Sequence, residues 1–287
     1  MARVSFSQYS MWSSCPQQYK LAYIDGLSQS TSNIHSVFGT AMHETLQHYL
    51  DKCLRISKSQ ADKMIDLKEF LKERMRETFI KESNGGQNQI CTKDEMVEFL
   101  EDGNVLLDWF QKPKNFNKFF SLKHDELVAI EQPINTKIAE GVNFMGFIDL
   151  IIRDKFNGKY RIIDFKTSTA GWSKYQKSDP VKNSQILLYK KFYAELIDIS
   201  EDMIDVEFII LKRKVAVRED IPTHRMSKHI PANGKPSINK AWNGFKVFVE
   251  SVFDSSGNYK LEINYPKKPS KLCSWCEFFG THCDGKN

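Results

Sequence analysis

The chain predicts an α/β (α+β) fold with a mixed central sheet flanked by helices. Three observations lead there. Apolar residues recur with a helical period as far as about residue 111. From about residue 126 the period falls to two, the spacing of a half-buried strand. A further helical stretch, 181–198, then separates the last two strands, so the central order reads β-β-β-α-β.

The first two helical pieces lie within 4–27, with Ser5 as a cap and Cys15-Pro16 opening the second. Tyr19 and Tyr23 share a face with Cys15 there. A polar linker spans 28–36. A helical region covers 39–112. Its first helix, from Gly39 to about Leu54, carries the apolar stripe Met42, Leu46, Tyr49 and Cys53, with His43 and Gln47 beside it. A second helix spans 60–81, a Gly- and Asn-rich break 84–88, and a third helix 93–111.

The strands occupy 126–138, 143–152, 160–167 and 204–212 and form, with the helix at 181–198, a core at 126–212. Pro133 suits an edge or a bulge. Asn157-Gly158 is a hairpin signal between the second and third strands. The stretch 212–240 sets eight Lys and Arg against Glu219 and Asp220, which predicts a basic loop or β-hairpin over a groove or a solvated surface.

All 287 residues suit one large domain or two small ones, read here as one. A hydrophobic fraction of 41% with 27% charged residues excludes a disordered chain. A net charge of +5 permits an anionic partner without demanding one. No apolar run nears the ~18 residues of a spanning helix. The opening Met-Ala-Arg-Val-Ser-Phe-Ser lacks the apolar core of a secretory signal. The expectation is a cytoplasmic protein without a membrane partner.

Two acids interrupt apolar strands: Asp149 within Phe-Ile-Asp-Leu-Ile-Ile and Asp164 within Ile-Ile-Asp-Phe-Lys. A buried carboxylate is costly unless a cation or hydrogen bonds compensate it. The hairpin brings the two together, where they would repel. Asp164 and Lys166 share one face and Phe165 takes the other. Two carboxylates with the Phe165 carbonyl make a hard oxygen site for Mg²⁺ or Mn²⁺. Lys166 can orient an attacking water or offset charge on a phosphate. Of three Asp-x-Lys steps, at 66, 164 and 284, only the middle one lies on a strand that follows an acid-bearing strand.

Gly39…His43, Gly146-Phe147-Ile148-Asp149, Asp164-Phe165-Lys166-Thr167 and Gln185…Tyr189 occur in that order. The ordered set resembles the RecB-like nucleases of the PD-(D/E)XK superfamily, over roughly residues 5–212 and the tail. The resemblance implies a restriction-endonuclease-like core and metal-dependent hydrolysis of DNA. It implies metal ligation by His43, Asp149, Asp164 and the Phe165 carbonyl, with Lys166 as the catalytic lysine. Gln185 and Tyr189 would place the DNA backbone or the lysine. Glu131 is the best match for a glutamate that such proteins often carry on the strand before the hairpin.

Cysteines 273, 276 and 283 crowd the tail with metal-ligand spacing, and Cys15 is the candidate fourth ligand. Cys53 and Cys91 carry no such pattern. The arrangement resembles the iron–sulfur members of the family, the AddB subunit type and the CRISPR-adaptation nucleases. It implies a 4Fe–4S cluster that ties 1–27 to 265–287. Trp275, Phe278 and Phe279 would shield it. A four-cysteine zinc site, widened by His282, is the rival, and four free thiols are the bland alternative.

The expected activity is an exonuclease on single-stranded DNA or DNA ends, serving replication, recombination or phage-type DNA metabolism. Trp172, Tyr175, Lys212, Arg213 and Lys214 are the candidates to hold the strand by stacking and charge. The alternatives are a CRISPR-adaptation nuclease that trims DNA before integration and a non-catalytic DNA-binding scaffold. No Gly-x₄-Gly-Lys-Ser/Thr occurs, so nothing points to ATP.

Overall fold

The computed structural model describes residues 1–28, 32–85, 89–216 and 223–285. Parts of the expected linker (29–31), of the Gly- and Asn-rich break (86–88) and of the basic stretch (217–222), together with Lys286, lie outside the described residues.

A short strand, β1 (Ala2–Val4), precedes helices α1 (Phe6–Ser14) and α2 (Pro16–Tyr19), and a π-helical turn follows at Lys20–Ile24. The long helix α3 (Ile34–Arg55) starts earlier than its apolar stripe suggests, because Asn33 and Ser36 form a reciprocal capping box. The helix expected over 60–81 is two, α4 (Lys58–Met64) and α5 (Leu67–Glu82). Asp66 breaks it: its side chain accepts the backbone N–H groups of Lys68 and Glu69 and caps α5. Helix α6 (Lys93–Gln111) matches the predicted span, and a short α7 (Pro113–Phe116) follows.

Among the described residues the sheet has six strands. To β1 it adds β2 (Asp125–Ala139), β3 (Val142–Asp154), β4 (Tyr160–Ser168), β5 (Ile204–Lys212) and β6 (Met226–His229). Short α8 (Lys174–Ser178) and longer α9 (Pro180–Leu196) cross from β4 to β5. This makes the β4–β5 pair parallel, as a helical crossover requires. β2 runs antiparallel along the whole of β3 on one edge, with Pro133 opposite Phe147. β2 is therefore an edge strand, where proline is tolerated. The other edge of β3 is shared. β1 takes residues 142–144 and β4 takes 150–153. Residues 145–149 face a gap between those two ladders.

The expected hairpin in the basic stretch is present as β5–β6, with Phe208 opposite His229 and Leu211 opposite Met226. From Lys235 that stretch becomes α10 (Lys235–Val252), which buries Ile238, Ala241, Phe245, Phe248, Val249 and Val252 at helical spacing.

Two cores enclose the sheet. On one face α3, α5, α6 and α7 pack over Leu150, Ile152, Ile163, Phe165, Ile209 and Leu211. On the other, α1, α9 and α10 pack over Phe144, Ile148, Ile151, Ile162, Val206 and Phe208. Ile148 and Leu150 have the same parity yet enter opposite cores. The period-two alternation of β3 therefore slips at Asp149. Across the ladder, Glu131 has φ 50°, left-handed for a non-glycine residue within a strand, a conformation that costs about 1–3 kcal/mol.

Candidate active site

The acids Asp149 and Asp164 meet where a ladder ends. The last β3–β4 pairs are Ile151 with Ile162 and Leu150 with Ile163. The next step in that register opposes Asp149 and Asp164, and there the backbone ladder stops. In its place the Phe165 N–H donates to Asp149 Oδ2 at 2.7 Å. A side chain has replaced a strand as acceptor, and the strands part around the two carboxylates.

Asp164 is buried, and Asp149 retains 15% side-chain exposure. Burial raises both carboxyls to about 6, against the pull of Lys166, and Asp149 raises Asp164 further. Lys166 Nζ lies 2.7 Å from Asp164 Oδ2. That oxygen is nevertheless buried without a well-directed hydrogen bond. The lysine supplies charge but not satisfaction.

α3 brings His43 over the opening. Gly39, one turn earlier, lets the helix approach, since a Cβ there would meet Thr167 Oγ1 at 3.3 Å. His43 Nδ1 stands 3.5 Å from Asp149 Oδ2, with its ring edge-on to Phe165. Burial lowers its pKa to about 4, against the pull of Asp164, so the imidazole is neutral at neutral pH. Glu131 reaches in from the rim, its Oε1 accepting from Gln47 Nε2 at 2.5 Å. From α9, Gln185 hydrogen-bonds Tyr189, and burial raises that phenol above its ordinary range. Tyr189 lies against Gly146, where a Cβ would meet the ring and hydroxyl at 3.1 Å. The glycine of Gly-x-x-Asp thus makes room for the tyrosine of Gln-x-x-x-Tyr.

Two carboxylates held above their normal pKa, a neutral imidazole and an orphaned buried oxygen are chemistry that fits a hard divalent cation. Among the described residues, no three His, Cys, Asp or Glu side chains are gathered closely enough to hold a metal ion. This holds for the two acids and for the cysteines of the tail alike.

A groove of about 600 Å³ leads away from Lys166 and Thr167. Trp172 and Lys182 line it together with Ser7, Ser10 and Gln18 from α1 and α2. Sequence reasoning missed Lys182, the serines and Gln18, although Ser7, Ser10 and Ser14 recur at helical spacing and were legible as one face of α1. Lys182 Nζ stacks over Trp172 at 5.5 Å, and the ring also contacts Phe208. Tyr175 is 87% exposed. Lys212 is half-buried beneath Gly171, and burial lowers its pKa.

Arg213 packs against α6. It is buried, its guanidinium stacks on Phe99 at 3.7 Å, and Nη1 pairs with Glu98 and Asp102. Lys214 pairs with the same two acids. Both tie the residues after β5 to α6.

The cavity at the chain's two ends is lined by Cys15, Cys273, Cys276 and Cys283 together with Leu21 and Phe278. Burial raises the Cys276 thiol, and the other three sulfurs add to the shift. The tail is fixed to the N-terminal helices by Lys268 Nζ donating to the Ser13 carbonyl and by Phe278 packed on Leu21 and Ala22. Of the three expected shields only Phe278 is buried. Trp275 is 87% and Phe279 48% exposed. Cys53 is buried on α3, and Cys91 lines an apolar hollow between α5 and α6. Among the described residues, no helix is long and apolar enough to cross a membrane.

No curated protein matches the chain. The profile of the PD-(D/E)XK nuclease superfamily matches residues 3–281, a span that holds the opened strand pair, its lysine and the helices that flank them. The chain belongs to the PD-(D/E)XK nuclease superfamily.

Proposed function

We propose that this protein is a Mg²⁺- or Mn²⁺-dependent deoxyribonuclease, an exonuclease acting on single-stranded DNA or DNA ends in replication, recombination or phage-type DNA metabolism. The observation that carries the reading is the opposition of Asp149 and Asp164 one step beyond the last β3–β4 pair, with Lys166 Nζ at 2.7 Å from Asp164.

Asp149, Asp164, His43, Glu131 and the Phe165 carbonyl would hold the metal. A bound divalent ion lowers the pKa of water and neutralises charge on a phosphate. Lys166 would orient the nucleophile or stabilise the developing phosphate charge. His43, already neutral, would bind without first losing a proton. Gln185 and Tyr189 would hold the DNA backbone and limit the lysine to one orientation.

The groove beside Lys166 favours a single strand. It is one groove with a stacking ring, Trp172, a cation, Lys182, and hydroxyl and amide groups on α1 and α2. It shares Ser14 and Gln18 with the cysteine cavity. The four cysteines would hold a 4Fe–4S cluster that stiffens this wall by tying the termini together, with zinc as the alternative occupant.

The test is cleavage of DNA labelled at either the 5′ or the 3′ end, single- and double-stranded, with Mg²⁺, Mn²⁺ or EDTA. Metal-dependent release of short products from one labelled end is expected. Binding without cleavage under all metals would reject the enzyme and leave a DNA-binding scaffold.

A further inference from the structure

Gln47 is a buried polar side chain on α3, one turn beyond His43. Its Nε2 donates to Glu131 Oε1 at 2.5 Å and to the Asp149 carbonyl at 3.2 Å. One amide therefore joins two neighbouring strands at the point where β3 loses its alternation. Glu131 is exposed and sits at φ 50°. An exposed glutamate has wide rotamer freedom, and this backbone conformation is one that an L-residue avoids. Gln47 removes that freedom and faces one carboxylate oxygen, leaving the other to point elsewhere. Glu131 is felt electrostatically by both Asp149 and His43, so its charge lies within reach of the acidic site.

We infer that Gln47 is a positioning residue: by clamping Glu131 and the Asp149 carbonyl it makes Glu131 the third carboxylate of the metal site. The inference rests on the proposed metal-dependent function and goes beyond it, since it assigns the affinity of the site to an amide that touches neither metal nor substrate. Partners of this kind behind a metal ligand set affinity by 10–100-fold.

Mn²⁺ binding to the whole protein, followed by calorimetric titration without DNA, tests it. Gln47→Met keeps the volume and loses the donor, and Gln47→Glu keeps the shape and turns the donor into a second acid facing Glu131. Each is expected to weaken Mn²⁺ binding about 10–100-fold with the circular dichroism spectrum unchanged. In a Glu131→Gln background, Gln47→Met is expected to cost much less than in the parent, because the route through Glu131 is already cut and only the contact to the Asp149 carbonyl remains. Wild-type Mn²⁺ affinity in a folded Gln47→Met protein, or an equal loss in the Glu131→Gln background, overturns the inference alone. Absence of Mn²⁺ binding by the unaltered protein overturns the metal site, and the inference with it.

Discussion

The Phe165 N–H donates to the Asp149 carboxylate rather than to a backbone carbonyl of β3. That single exchange ends the β3–β4 ladder and keeps Asp149 facing Asp164. An acid that interrupts an apolar strand would ordinarily be a liability. Here it is the group that opens the strand pair.

Asp164→Asn is expected to raise the stability of the metal-free protein at pH 8 by about 1–3 kcal/mol, because a pKa near 6 marks a charge that folding disfavours. The same substitution should abolish cleavage and the stabilisation by Mn²⁺. Thermal unfolding with EDTA and with Mn²⁺ measures both. A variant less stable than the parent in EDTA would show that the Lys166 ion pair outweighs desolvation.

The pH dependence has a defined sign. Asp149 and Asp164 rise from 3.8 to about 6, so their contribution to stability is present below 3.8 and lost as pH rises through 6. His43 falls from 6.5 to about 4, so its contribution is present above 6.5 and lost as pH falls through 4. Two groups oppose one. Relative to a protein carrying Asp149→Asn and Asp164→Asn, the metal-free parent should gain stability as pH falls from 7 to 5. Mn²⁺ affinity should fall over the same window as protons compete for the carboxylates. Urea unfolding and Mn²⁺ titration across that window check the two signs.

Lys166→Met should remove cleavage by at least about 10²-fold, the scale of losing one electrostatic stabiliser, while DNA binding persists. It should also lower stability in EDTA, since Asp164 loses its close cation. Cleavage kinetics and a filter-binding assay separate the two effects. Undiminished cleavage would remove Lys166 from the reaction.

Cys276→Ser should release the metal of the tail and loosen the contact between the termini. Iron, sulfide and zinc analysis of anaerobically purified protein identifies the occupant. Iron with sulfide is expected. Stoichiometric zinc would replace the cluster but keep the cross-link, and no metal at all would leave four thiols.

Trp172→Ala should weaken single-stranded DNA binding by about 1–3 kcal/mol, one base's worth of stacking, with cleavage lost mainly through a higher KM. Tyr175→Ala is the comparison, because that ring is exposed and outside the groove lining. Equal effects of the two would relocate the strand.

Much of the secondary structure was legible because it rests on local rules. β5 at Ile204–Lys212 and α6 at Lys93–Gln111 follow from unbroken apolar periods. The acids could be recognised because charge inside an apolar strand has few explanations. What escaped was non-local. β1 is only three residues long and exists because β3 offers it an edge. Arg213 looked free until α6 supplied two acids and a phenylalanine from more than a hundred residues away.

The sequence by itself determined the order of elements, the pair of misplaced acids with their lysine, and the grouping of cysteines toward the two ends. These depend on residue type and spacing along the chain. Tertiary structure alone decided that the β3–β4 ladder stops at Leu150–Ile163, that Gln47 clasps Glu131, and that serines of α1 line one groove with Trp172. Each of these depends on which groups compete for one hydrogen bond or one volume once distant segments meet, and no local period encodes that competition.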